Sequence, residues 1–127
     1  MLSPFKTLST SDQLDRALDE SSRRPAVIFK HSPTCGISAQ AFESISEWVT
    51  GKVPDADFYL VPVQASRALS TQLAQQFGIR HESPQVMVID RGEVVWHGSH
   101  YRAAATSIAA ALDKRVAATS ARESASR

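Results

Sequence analysis

The run Ala26-Val27-Ile28-Phe29-Lys30-His31-Ser32-Pro33-Thr34-Cys35-Gly36-Ile37-Ser38 decides how this chain folds. Its first four residues are continuously apolar and partly β-branched, as expected of a short strand covered on both faces. From Ile37 the period changes: Ile37, Ala41, Ile45, Trp48 and Val49 fall on one helical stripe, and Gly51 followed by Pro54 reads as its stop. A strand therefore hands over to a helix at Cys35, the only cysteine among 127 residues. A thiol at the first turn of a helix faces unpaired backbone N–H groups and the positive end of the helix dipole, and both favour thiolate over thiol. Ser38 shares that helical face and can donate a hydrogen bond to the thiolate, but it cannot resolve a mixed disulfide. The bland alternative is an inert thiol, because free cysteine is among the most buried residue types. For Cys35 to do redox chemistry, the partner sulfur must come from outside the chain.

Before this run, Thr10-Ser11-Asp12-Gln13 reads as a capping box, and Leu14, Ala17 and Leu18 continue a helix to about Ser21. After it, Phe58-Tyr59-Leu60-Val61-Pro62-Val63 is a second apolar strand, with Pro62 near its end or on an edge. Leu69, Leu73, Ala74 and Phe77 mark a third helix capped by Gly78. Gln85 to Ile89, the turn Asp90-Arg91-Gly92, and Glu93 to His97 form a β-hairpin. A last helix from about Tyr101 to Val116 turns Ala104, Ile108, Leu112 and Val116 inward. We expect one domain over 1–116 and a flexible C-terminal tail over 117–127, which carries no large apolar side chain.

The 14 Lys and Arg against 13 Asp and Glu leave a net charge of +1, so neither a nucleic-acid nor a membrane partner is expected. No stretch approaches the roughly 18 apolar residues of a membrane span, and Met1 to Thr7 lacks the regions of a signal peptide, which points to a cytoplasmic protein. One cysteine with His31, His81, His97 and His100 gives no tight ligand spacing, so no metal site is expected.

The order α-β-α-β-α-β-β-α, with a short strand near Phe5 to Leu8, gives an α/β mixed central sheet flanked by helices on both faces. It resembles the thioredoxin-like fold, with Pro84 where that fold carries a cis-proline. Three segments narrow the resemblance to the monothiol bacilliredoxin family: Phe29-Lys30-His31-Ser32 with Thr34-Cys35 and Ile37-Ser38, then Gly78-Ile79-Arg80-His81-Glu82-Ser83-Pro84-Gln85, and Val95-Trp96-His97 with Ser99-His100-Tyr101. Arg67 and Leu69-Ser70 also fit, and the resemblance runs from about Pro25 to Leu112.

The resemblance implies a monothiol thiol–disulfide oxidoreductase that removes bacillithiol from mixed protein disulfides through Cys35, with Ser38 beside it. Ser83 offers its backbone to an extended substrate next to Pro84, Thr34 and Gly36 flank the sulfur, and the Ser99-His100 loop faces it, with His100 as proton donor or cation. Bacillithiol combines cysteine, glucosamine and malate, so its carboxylates are expected to meet Lys30, Arg80 or a charged histidine. No tightly bound cofactor is implied. The small thiol bacillithiol is implied as co-substrate and bacillithiolated proteins as partners; we expect a monomer, which the lone thiol permits to form a disulfide-linked dimer when oxidised. Cys-Gly-Ile-Ser is also close to the Cys-Gly-Phe-Ser of monothiol glutaredoxins, so a glutathione-linked or iron–sulfur protein stays as the alternative. An interaction module with an idle cysteine is a third reading.

Overall fold

Alternation along the strands sorts the interior into two layers. The computed structural model describes residues 3–114. In chain order it contains β1 (Lys6–Thr7), α1 (Ser11–Glu20), β2 (Ala26–His31), α2 (Gly36–Lys52), β3 (Asp57–Pro62), α3 (Arg67–Phe77), β4 (Gln85–Asp90), β5 (Glu93–Ser99) and a 3₁₀ turn (His100–Arg102). A last helix, α4, occupies 105–114. The strands form one sheet in the order β1-β3-β2-β4-β5. β3 is parallel to β1 and β2, since α2 supplies the crossover, while β4 is antiparallel to β2 and β5. The expected mixed sheet with helices on both faces is what the chain builds.

Period-two alternation sends Val27, Phe29, Val86 and Val88 to one face, where they pack on Ile45 of α2 and Ile108 of α4. Ala26, Ile28, Met87 and Ile89 take the other face, against Leu14 of α1 and Leu69 and Leu73 of α3. The helix ends follow local chemistry. Thr10 Oγ1 accepts the Gln13 N–H at 3.2 Å and Gln13 Oε1 accepts the Thr10 N–H at 3.2 Å, so the capping box forms as read. In the hairpin, Arg91 and Gly92 both take positive φ (53° and 79°), the backbone that a two-residue turn matched to strand twist requires.

Two boundaries differ from the sequence reading. Gly51 does not stop α2: the helix continues through Lys52, and Val53 takes the left-handed conformation (φ 45°) and gives its N–H to the Val49 carbonyl. Pro54 cannot extend the helix, so the reversal falls on the residue before it although that residue is β-branched. The last helix does not start at Tyr101. His100 takes φ 55° and the chain makes a 3₁₀ turn first, burying Ala103 and leaving Tyr101 80% exposed. Val116 and the expected tail lie outside the described residues.

Candidate active site

The sheet register sets the site at the carboxyl end of β2. Lys30 pairs with Gln85, and Gln85 pairs with Ser99, so the cysteine loop after β2, the residues before β4 and the loop after β5 emerge at one end of the sheet. Cys35 is the N-cap of α2, in extended conformation, and is partly exposed. Its N–H goes to the Ser32 carbonyl at 3.1 Å and its own carbonyl accepts the Ala39 N–H at 2.9 Å, so the loop is closed by backbone while Sγ makes no hydrogen bond among the described residues. Thr34 Oγ1 accepts from Gln64 Nε2 at 3.1 Å, and the Val63 N–H reaches the His31 carbonyl at 2.9 Å. Both contacts tie the cysteine loop to the segment after β3. Gly36 is the first residue of α2, and a Cβ there would meet nothing within 4 Å.

Ser38 sits differently from the expectation. It is fully buried, its Oγ accepts the Ser32 N–H at 3.0 Å, and it shares a hydrogen bond of 2.8 Å with His31 Nδ1. The hydroxyl is thus engaged by the loop and the imidazole instead of the thiol. His31 lies on the Phe29 side of β2 with its ring stacked on Phe42, centroids 4.9 Å apart, and burial pushes its pKa down and favours the neutral ring. A neutral imidazole either accepts from Ser38 Oγ–H or donates to it, and in both cases Ser38 locks the loop that carries Cys35. Ser38→Ala is therefore expected to lower stability by about 1–3 kcal/mol, the usual cost of orphaning buried partners. A drop in the urea midpoint checks this, and an unchanged midpoint would count against the locking role.

The Ser83–Pro84 peptide is cis, Pro84 is buried, and its carbonyl accepts the His100 N–H at 2.8 Å. Among the described residues, neither the N–H nor the C=O of Ser83 is hydrogen-bonded, and its Oγ is buried without a partner. That backbone is free to pair with an extended chain. Ser99 hydrogen-bonds Glu82 and accepts from Gln85 Nε2 at 3.3 Å. The Ser99 hydroxyl, with smaller help from His100, Arg80 and His97, holds the Glu82 carboxyl below its usual range. His100 Nε2 lies 4.0 Å from Glu82 Oε1, and Arg80 is exposed.

Lys30 corrects the sequence reading. Alternation places it on the Ile28 face, it is fully buried, and Nζ lies 3.2 Å from His81 Nδ1, which is also 3.1 Å from Ser70 Oγ of α3. A side chain with no exposed surface cannot greet a ligand's carboxylates directly, so any influence it has on the site runs through the residues before Pro84. Desolvation lowers its pKa from 10.5 to about 8. His81 is also held down, first by burial and then by the Lys30 charge. The sequence reading quotes Gln85 at the end of its second segment but gives no role to it, although its buried Nε2 donates to the Arg80 carbonyl at 3.0 Å, and it passes over Gln64 and Phe42. Period two along β4 puts Gln85 on the same face as Met87, which was the available signal for its burial.

A sheet of this order, with a single partly exposed cysteine capping α2 and a cis-proline opening the strand next to β2, defines a monothiol member of the thioredoxin fold. Solved structures agree. An experimental structure described as a candidate oxidoreductase with a thioredoxin fold is 34% identical, with a TM-score of 0.75 over 84% of this chain and 91% of that one. Thioredoxin from Fasciola hepatica (18% identical, TM-score 0.70, 87% and 98% covered) and from Trypanosoma brucei brucei (11%, 0.70, 88% and 90%) share the fold. The family described as monothiol bacilliredoxin BrxC matches residues 6–108, and the chain belongs to that family. Its chemistry is thus thiol–disulfide oxidoreduction. Among the described residues no cluster of His, Cys, Asp and Glu could hold a metal ion, and no helix is long and apolar enough to cross a membrane.

Proposed function

We propose that this protein removes bacillithiol from mixed protein disulfides through Cys35. The observation that carries the reading is the solitary, partly exposed thiol at the head of α2 in a bacilliredoxin chain. The Cys35 thiolate attacks the bacillithiol sulfur of the adduct, the old S–S bond breaks, and the target protein leaves as a thiolate that takes up a proton. Bacillithiol is then disulfide-bonded to Cys35. A second bacillithiol thiolate attacks that bacillithiol sulfur, which yields oxidised bacillithiol and restores the Cys35 thiolate. Electrons pass from the small thiol to the target, with the chain as carrier.

The free N–H and C=O of Ser83 fit a short β-like pairing with the target chain, and Pro84 shapes the groove beside it. Thr34 and Gly36 flank the sulfur, and Gly36 leaves room for a ligand to approach the helix start. His100, tied to Pro84 through its N–H and exposed at its ring, serves as proton donor or as a cation beside the departing thiolate, with Ser99 and Glu82 orienting it. Arg80 offers its guanidinium to ligand carboxylates.

The test exposes the reduced protein to bacillithiol disulfide and glutathione disulfide in parallel, with intact-mass readout. We expect one bacillithiol mass on Cys35, gained faster than the glutathione mass, and none on Cys35→Ala. Absence of the bacillithiol adduct, or faster gain of glutathione, overturns the assignment.

A further inference from the structure

A groove of about 130 Å³ runs between the first turns of α2 and the segment after β5, and of its lining the mechanism above uses His100 alone. Ile37, Gln40 and Ser44 form its α2 wall, and His100, Tyr101 and Ala103 form the other. At about 1.5 Å per residue, Gln40 and Ser44 stand about 7 to 14 Å along the helix axis from Cys35. The near end of the groove meets the site through Ile37, two residues after Cys35, and through His100, whose N–H is bonded to the Pro84 carbonyl.

Tyr101 is 80% exposed, one of the large apolar side chains left outside the core. Its backbone is nevertheless fixed. The preceding residue gives its N–H to Pro84 at 2.8 Å, Ala103 returns an N–H to His100 at 3.1 Å, and Ala103 is buried. An exposed aromatic ring on a backbone held at both neighbours, one residue from the His100 that is bonded to Pro84, is a surface on which a ligand can stack. Gln40 and Ser44 are exposed, and their side chains make no hydrogen bond among the described residues, so their donors and acceptors are open. None of the side chains lining the groove is acidic, and the imidazole in its wall, that of His100, faces Glu82 Oε1 at 4.0 Å.

We propose that this groove is the subsite for the sugar and acid portion of the small thiol, with the Tyr101 ring stacked on the C–H face of the glucosamine and with Gln40 and Ser44 bonded to its hydroxyls. The inference rests on the bacillithiol assignment and adds residues that decide specificity. An aromatic platform with a few placed polar groups suits a ligand that is apolar on one face and hydroxylated at its edges.

The experiment uses one target peptide carried as two mixed disulfides, one with bacillithiol and one with free cysteine, which presents the same reacting sulfur without the sugar. Wild type is expected to prefer the bacillithiol adduct in kcat/KM, and Tyr101→Ala to lose roughly three- to tenfold on that adduct alone, the size of an aromatic contact. The cysteine adduct is expected to react unchanged, which shows that the variant is folded and its thiol intact. Tyr101→Phe should retain the preference. An equal loss on both substrates, or an unchanged ratio in Tyr101→Ala, overturns the subsite. Failure of wild type to react with the bacillithiol adduct at all overturns the functional assignment instead, so the two failures are told apart.

Discussion

Given a bacillithiol-mixed disulfide and no free thiol, the protein is expected to release one equivalent of target thiol per chain and then stop. The reason is inventory. Cys35 is the only cysteine, and Ser38 stands where a second sulfur would attack the adduct, so nothing in the chain can discharge it. Ser38 is also buried beneath Ser32 and His31, which leaves its oxygen engaged as well as chemically unsuited. Adding a small thiol should restart turnover, with a rate that rises with thiol concentration until attack by Cys35 limits it. Cys35→Ser should show no burst and no turnover above background, because an alcohol is not ionised near neutrality and forms no disulfide. The burst is counted by stopped-flow absorbance with a chromogenic target thiol. A burst well above one equivalent without added thiol, or a burst that survives in Cys35→Ser, would contradict a single-sulfur carrier.

The frame of this site was legible in the sequence because short-range signals agree with one another. Apolar Ala26 to Phe29 followed by the stripe from Ile37 places Cys35 at a strand-to-helix junction, and β2 and α2 meet there. The cis state of Pro84 came through resemblance, since nothing in Ser83-Pro84 by itself selects that isomer. What stayed hidden depends on which neighbour completes a polar group. Spacing of three puts Ser38 on the cysteine's face of the helix, but it does not say that His31, at the end of the preceding strand, takes the hydroxyl. Lys30 is the sharper case. Alternation alone puts it on the Ile28 face, yet a lysine near a strand end ordinarily carries its ammonium out to water. Here α3 and the residues before Pro84 close over it, a tertiary fact with no local signature. Tyr101 was concealed by the apolar run of the last helix, which continues through a turn that is not α-helical.

The buried ammonium of Lys30 carries the second large effect, and it falls on stability. In the unfolded chain a lysine titrates at its ordinary 10.5, whereas folded Lys30 titrates at about 8 because burial penalises its charge. Below about pH 8 both states are charged and the folded one bears the whole penalty. Between there and 10.5 the unfolded state holds the extra proton, so stability rises with pH across that window. At about 1.4 kcal/mol per pH unit the penalty is about 3 kcal/mol. Lys30→Met fills nearly the same volume without charge. It is expected to stabilise the fold by about 2–3 kcal/mol at neutral pH, with the gain shrinking towards zero by about pH 10.5. Opposing this, the variant loses the 3.2 Å contact with His81 Nδ1, which keeps Ser70 as its remaining partner. His81 supplies an independent readout: without the neighbouring charge its imidazole should titrate at higher pH by NMR. Urea unfolding of both proteins from pH 6 to pH 10 settles the balance. If Lys30→Met is less stable at every pH, the ammonium's tie to His81 outweighs its desolvation. The chain would then keep the lysine as a brace for the residues leading into Ser83 and Pro84. If it is more stable but transfers thiols more slowly, the lysine is held at a cost to stability for what it does to the groove beside Cys35.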